Sequence, residues 1–210
     1  MIPKRRPLTP ETKARLNYVV LILSTLATLV LYVLSAGPAD LARKIGPKAY
    51  GRCTLYRLLA SVAMTVASVN YVLAVRWPPP LPVPHHFAWP RWISTLIAGA
   101  IALPSGILLG RGMMDAGAET IIVKPEHTLY RGIYTKIRHP QAVGELPFWW
   151  VFAFALHSPF LVVYSLIWIP IFVLMCLAEE RDLLIRYGQS YAAYRQRTGF
   201  MWPRRPPARV

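Results

Sequence analysis

Leu16 to Ser35 form an almost unbroken apolar run of twenty residues, interrupted only mildly by Asn17, Thr25 and Thr28. That run constrains the chain more than any other feature. A helix of about twenty apolar residues is what it takes to cross the hydrocarbon core of a bilayer. Gly37-Pro38 ends it, since proline cannot continue a helix and glycine tolerates the cap geometry. Four more runs follow the same logic. One extends from about Leu55 to Val75 and is closed by Arg76, Trp77 and the run Pro78 to Pro80. A third covers Trp92 to about Leu109 and should bend at Pro104. A fourth covers Pro140 to His157, where Ser158-Pro159 breaks it. The fifth, Phe160 to about Ala178, should kink at Pro170. It then passes without a breaker into Glu179, Glu180, Arg181 and Asp182, as one helix leaving the membrane and stopping near Gly188.

These runs predict an all-α polytopic membrane protein with five transmembrane helices, the last two forming a helical hairpin. Two regions are expected: a three-span membrane region over residues 1–110, and residues 111–210, which hold a linker, the hairpin, a short helix and a tail. The linker from Arg111 to Arg138, mixed in Gly, Thr, Lys and Glu, reads as water-facing. Composition agrees: only 16% of residues are charged, against roughly 25% in soluble domains. The first run, lacking a small-residue cleavage site and followed by further spans, reads as a retained helix and not as a signal peptide.

The remaining charge is lopsided, with 24 Lys and Arg against 9 Asp and Glu. These basic residues lie between apolar runs, the pattern of membrane loops. No nucleic-acid-binding spacing accompanies them, so no nucleic-acid partner is expected. With five spans, the side carrying the first interhelical loop, the 111–138 linker and the C-terminus holds 17 basic residues, and the other side 7. That bias places the C-terminal half in the cytoplasm, on an inner or plasma membrane. Lys4, Arg5, Arg6, Lys13 and Arg15 run against it. Cys53 and Cys176 stand too far apart for a zinc or redox motif. Adjacent His85 and His86 lie in a proline- and aromatic-rich loop without further ligands, so no metal site is expected.

Two clusters carry the candidate chemistry. The first is His127-Thr-Leu-Tyr-Arg-Gly132-Ile-Tyr134-Thr-Lys-Ile-Arg138-His139-Pro140-Gln-Ala-Val-Gly144-Glu145. The second is Glu179-Glu180, followed by Tyr187-Gly188, Tyr191 and Tyr194. They flank the predicted hairpin, whose two ends return to one face, so folding should bring Arg138 and His139 near Glu179 and Glu180. Arg138 offers a planar donor fork suited to a carboxylate. His139 donates or accepts near neutral pH, and the helix start at Pro140 presents free N–H groups. A glutamate can accept from ribose hydroxyls or an amino group. Taken singly, each cluster also reads as structure: Arg-His anchors helices at membrane boundaries, and paired glutamates form solvated faces. Their pairing across one hairpin favours a functional site.

The order H-x-L-x-x-G-x-Y-x-x-x-R-H-P, then Gly144, an apolar hairpin and E-E-x-x-L-x-x-x-Y-G-x-x-Y-x-x-Y, resembles the isoprenylcysteine carboxyl methyltransferase family and the related phospholipid N-methyltransferases. The resemblance covers roughly residues 111 to 200. It implies a pocket for S-adenosylmethionine at the cytosolic boundary, beside the hairpin, with a lateral path for a lipid-like acceptor from the bilayer. Carried over residue by residue, it implies that His127, Gly132, Tyr134, Arg138, His139, Pro140, Gly144, Glu179 and Glu180 line that pocket. Arg138 and Glu180 are the catalytic candidates, joined by Glu145 from its own position one residue past Gly144 at the start of a helix. One departure stands out: the family's R-H-P-x-Y-x-G has an aromatic where this chain has Ala142.

Methyl transfer from an activated sulfonium is an in-line displacement and asks mainly for positioning and exclusion of water. An amine acceptor must arrive neutral, and Glu145 is the candidate to take its proton. Glu145 reads equally as a helix-end dipole partner. Beside the space left at Ala142, its carboxylate would repel a carboxylate acceptor and attract an ammonium. This favours an amine headgroup over an isoprenylcysteine-type carboxylate. Two other readings stand alongside: an NADPH-dependent sterol-type reductase, whose family has a similar C-terminal hairpin with an R-H motif, and a non-catalytic membrane protein that binds anionic lipid.

Overall fold

The structure is a computed structural model that describes residues 8–125 and 131–204. It is all-helical. Helix α1 (Pro10–Ser35) starts at Thr9, whose side chain accepts from the Thr12 amide, with Pro10 in the first turn. This is the position where a missing N–H costs nothing. After Gly37 a short helix α2 (Pro38–Ile45) turns the chain into α3 (Lys48–Arg76). The loop expected between the first two runs therefore contains a helix.

Helices α1 and α3 pack along seams of small residues. The buried set on α3 includes Cys53, Ala60, Ala67 and Ala74, spaced every seven residues. On α1 the buried set includes Ala14, Asn17, Leu21, Thr25 and Thr28. Small side chains let helix backbones approach closely where lipid removes the usual hydrophobic drive. Their donors find acceptors: the hydroxyls of Thr25 and Thr28 donate to the carbonyls of Leu21 and Ser24 on the same helix, and the Asn17 side-chain amide donates across to the Asn70 carbonyl of α3.

Helix α4 (Arg91–Ala116) carries Pro104 inside it and runs on to Ala116, so the first residues of the expected linker belong to a helix. The run from Pro140 to His157 departs further from expectation. It forms two short helices, α5 (Pro140–Glu145) and α6 (Phe148–Ala155). The cause is Pro147, which has no N–H for the α5 ladder and whose ring clashes with the turn before it. The expectation of five transmembrane helices is corrected accordingly: four helices are long and apolar enough to cross a membrane, Pro10–Ser35, Lys48–Arg76, Arg91–Ala116 and Pro159–Tyr187. They make the chain an integral membrane protein. The α5–α6 pair lies antiparallel against α4, with Gln141 beside Gly112 at one end and His157 bonded to Ser94 at the other.

The last span is itself composite. Helix α7 (Pro159–Tyr164), a 3-10 turn over Ser165–Ile167 and helix α8 (Trp168–Tyr187) follow one another. The tighter turn sits just before Pro170, where a kink was expected. Tyr71 of α3 braces these irregular pieces. Its hydroxyl lies 2.6 Å from the Trp149 carbonyl, 3.1 Å from that of Leu161 and 2.7 Å from Ser165 Oγ. Trp149 and Trp168 stack at 3.9 Å in the core beside it. Helix α8 ends where Gly188 adopts φ +51, and α9 (Gln189–Arg197) folds back.

These directions bring one end of every long helix together. The C-terminal ends of α1, α4 and α8 meet the N-terminal ends of α3 and α5, and α2, α9 and residues 117–125 gather around them.

Candidate functional site

At that shared end lies a cavity of about 420 Å³, within the range of roughly 300–1,000 Å³ typical of small-molecule sites. Its polar wall includes Tyr32, Arg57, Tyr134, His139 and Glu179, and its apolar wall includes Met64, Leu109, Met113, Phe172 and Met175. Residues Thr120 to Lys124 close one side. Arg186 holds that strap by donating to the carbonyls of Lys124 and Pro125, and Val123 N–H donates to Thr54.

The two clusters separated by about forty residues do meet. Arg138 Nε donates to Glu180 Oε1 at 2.6 Å, and His139 Nε2 lies 3.1 Å from the same oxygen. Glu180 Oε2 has Arg195 Nε at 3.1 Å, close enough for ion pairing but off the axis of a hydrogen bond. The same Arg138 guanidinium donates to the carbonyls of Arg195 and Thr198. Backbone pairing adds to this: Arg138 N–H and His139 N–H donate to the carbonyls of Gly199 and Phe200. Arg138 and Glu180 thus tie α5, α8, α9 and the start of the tail into one knot. Glu180 is 2% exposed and points into this knot, while Glu179, Arg138 and His139 reach the cavity wall.

Glu179 is held differently. Tyr32 O–H donates to its Oε1 at 2.7 Å, and an Arg57 nitrogen stands 3.6 Å from that oxygen. Among the described residues its other oxygen has only His139 Nδ1 at 3.7 Å, beyond hydrogen-bond range, and the side chain is 30% exposed. One oxygen is anchored and the other is available to a donor in the cavity. His139, buried between the two carboxylates, touches both.

The other expected site residues separate by what surrounds them. Tyr134 lines the cavity, its hydroxyl donating to the Gly112 carbonyl and accepting from Gln141 Nε2. Burial pushes its phenol well above the usual range, so it stays a neutral donor. Gly132 adopts φ +56, and a side chain there would strike the Asp115 carboxylate, which already accepts from the Ile133 amide. Gly144 lies against the Leu109 backbone, where any side chain would collide. Pro140 is fully buried at the first turn of α5. These three shape the backbone around the cavity and are not part of its lining. His127 lies outside the described residues.

Glu145 lines the cavity one turn from Ala142 on the same face of α5. Among the described residues no hydrogen bond or ion pair reaches it. Lying outside the four spans, it is pushed up to about 7 by burial, so it is partly protonated at neutral pH. The other acids on the cavity wall are engaged. Asp182 accepts from the Ala39 amide at 2.8 Å and pairs with Arg186 at 2.7 Å.

Sequence reasoning missed Tyr32, Arg57, Asp182 and the Gly199-Phe200 segment. Arg57 carried the best signal: a charge just inside an apolar run is costly unless it has a partner. Comparison of the chain with protein-family models, with curated proteins and with solved structures finds no match in any of the three.

Proposed function

We propose that this protein transfers a methyl group from S-adenosylmethionine to a lipid-like acceptor, as the resemblance of residues 111–200 implies. The observation that carries the reading is the convergence of both motif clusters on one cavity with a half-free carboxylate, Glu179, in its wall. The donor set suits the cofactor. Glu179 can accept from ribose hydroxyls or an ammonium, Arg57 and Arg138 supply guanidinium charge near a carboxylate, and Phe172 and Met175 offer apolar surface for a base. When bound, the cofactor supplies an activated methyl group.

The chain's own residues then have three tasks. Tyr134, His139 and Glu179 orient the ligand, with His139 held between the two glutamates. The strap over residues 120–124 keeps water out. Glu145 takes a proton from the acceptor. A carboxyl near 7 is well placed for this, because a base works best with a pKa close to the working pH. Apolar residues of α3 and α4, Met64 and Met113 among them, continue the cavity wall away from the polar end. This favours an acceptor with a polar head and an apolar body. Together with the unpaired Glu145 and the small Ala142 beside it, the arrangement favours an amine headgroup over a carboxylate. The basic bias of this end supports a cytoplasmic site.

Calorimetry on detergent-purified protein tests the reading, with S-adenosylhomocysteine and NADPH titrated separately. Binding of S-adenosylhomocysteine alone is expected. Binding of NADPH alone would turn the assignment to a reductase, and binding of neither would leave a non-enzymatic lipid-binding protein.

A further inference from the structure

Tyr32 and Arg57 sit on α1 and α3, outside the stretch that carries either motif, yet both reach Glu179. We infer that these two residues are positioning residues for the site: they fix the Glu179 carboxylate so that its second oxygen faces the ligand. The inference rests on the methyl-transfer reading and extends the site into the N-terminal half of the chain.

The geometry separates this role from ordinary helix packing. Arg57 is only 13% exposed in its side chain, on one of the four helices long and apolar enough to cross a membrane. Holding a guanidinium there is costly, and its contacts offset that cost. It donates to Ser35 Oγ at 3.3 Å, lies over the Tyr32 ring at 5.0 Å and stands by Glu179 Oε1 at 3.6 Å. Tyr32 O–H reaches the same oxygen at 2.7 Å. Both donors act on Oε1, so the carboxylate cannot rotate freely and Oε2 is left toward the cavity. Glu180, one residue on, needs no such help, because Arg138, His139 and Arg195 already surround it. The two N-terminal residues therefore serve the glutamate that lines the cavity.

A mutant cycle on the full-length protein in detergent tests this, with S-adenosylhomocysteine as the calorimetric probe. Tyr32→Phe removes a single oxygen and should weaken binding about tenfold, the loss of one hydrogen bond to a charged group. Arg57→Gln should weaken it similarly, and Arg57→Lys should recover part of the loss. In a Glu179→Gln background, Tyr32→Phe should change affinity by less than about twofold, because the charge it positions is gone. A merely structural tyrosine would cost the same in both backgrounds. Should Arg57→Gln not fold, Tyr32→Phe carries the test alone. Wild-type affinity in Tyr32→Phe, or a full tenfold loss on top of Glu179→Gln, overturns the assignment while leaving the methyl-transfer reading intact. Failure of the wild type to bind S-adenosylhomocysteine overturns both.

Discussion

Replacing Glu180 with alanine should damage the fold more than the ligand site. The carboxylate is 3% exposed in its side chain and meets three basic groups: Arg138 Nε at 2.6 Å, His139 Nε2 at 3.1 Å and Arg195 Nε at 3.1 Å. Arg138 is itself only 10% exposed. Removing one partner of a buried ion pair strands the other charge, at a cost of about 3–5 kcal/mol. Arg195 is 39% exposed and can turn to solvent, so its share is small and the lower end applies. For a chain of this size each kcal/mol moves the melting temperature by about 2–4 °C, which gives a fall of about 6–12 °C. Glu179→Ala, by contrast, removes a carboxylate that is 30% exposed and leaves Arg57 its contacts with Ser35 and the Tyr32 ring, so it should cost less, about 1–3 kcal/mol. Thermal unfolding in detergent, followed by tryptophan fluorescence, measures both. S-adenosylhomocysteine affinity should show the opposite order, with Glu179→Ala losing more than Glu180→Gln. A Glu180→Ala protein that melts with the wild type but no longer binds would refute the division between the two glutamates.

Methylation of an amine acceptor should rise with pH through about 7 as Glu145 ionises, and Glu145→Gln should lose that limb. The raised carboxyl also means that the folded state holds its proton more tightly than the unfolded chain. Stability should therefore fall as pH climbs from 4.5 to about 7 in the wild type, and that slope should flatten in Glu145→Gln. Gly144→Val should push α5 off the Leu109 backbone and cost about 1–3 kcal/mol, read from the melting temperature. Arg195→Cys, in a background lacking Cys53 and Cys176, should be labelled only from the cytoplasmic side. Labelling from the opposite side would reverse the orientation.

The helical, membrane-spanning character was legible because hydropathy and length act locally. Each of the four long helices falls on an apolar run, and Gly37-Pro38, the prolines after Trp77 and Gly188 stop helices where their backbone preferences require it. The fourth run misled because composition alone does not register what Pro147 does to hydrogen bonding. Six helical residues on one side and eight on the other are two short helices, however apolar the sequence between them. The linker boundary failed for a related reason. Arg111 to Ala116 look polar enough for a loop, yet α4 continues through them to Gly117, where a positive φ finally ends it.

The candidate site was legible in half. Motif spacing brought Arg138 and His139 to the glutamates, because a chain that goes out and returns beside α4 must bring its two ends together. It did not reveal which glutamate does what. Glu179 and Glu180 are consecutive, and successive residues on a helix point about 100° apart. Such a rotation is enough to send one carboxylate into the cavity and the other among Arg138, His139 and Arg195. The sequence shows two identical acids, and only the packing of α9 and of the Gly199-Phe200 segment on one flank separates them. The other flank is set by α1 and α3, where Tyr32 looks like an interfacial aromatic and Arg57 like a membrane-edge anchor. Each is an ordinary residue until α8 is laid beside it. The chemistry of the cavity wall thus belongs to the pairing of the two halves, and a variant of either half should be judged by what it does to Glu179.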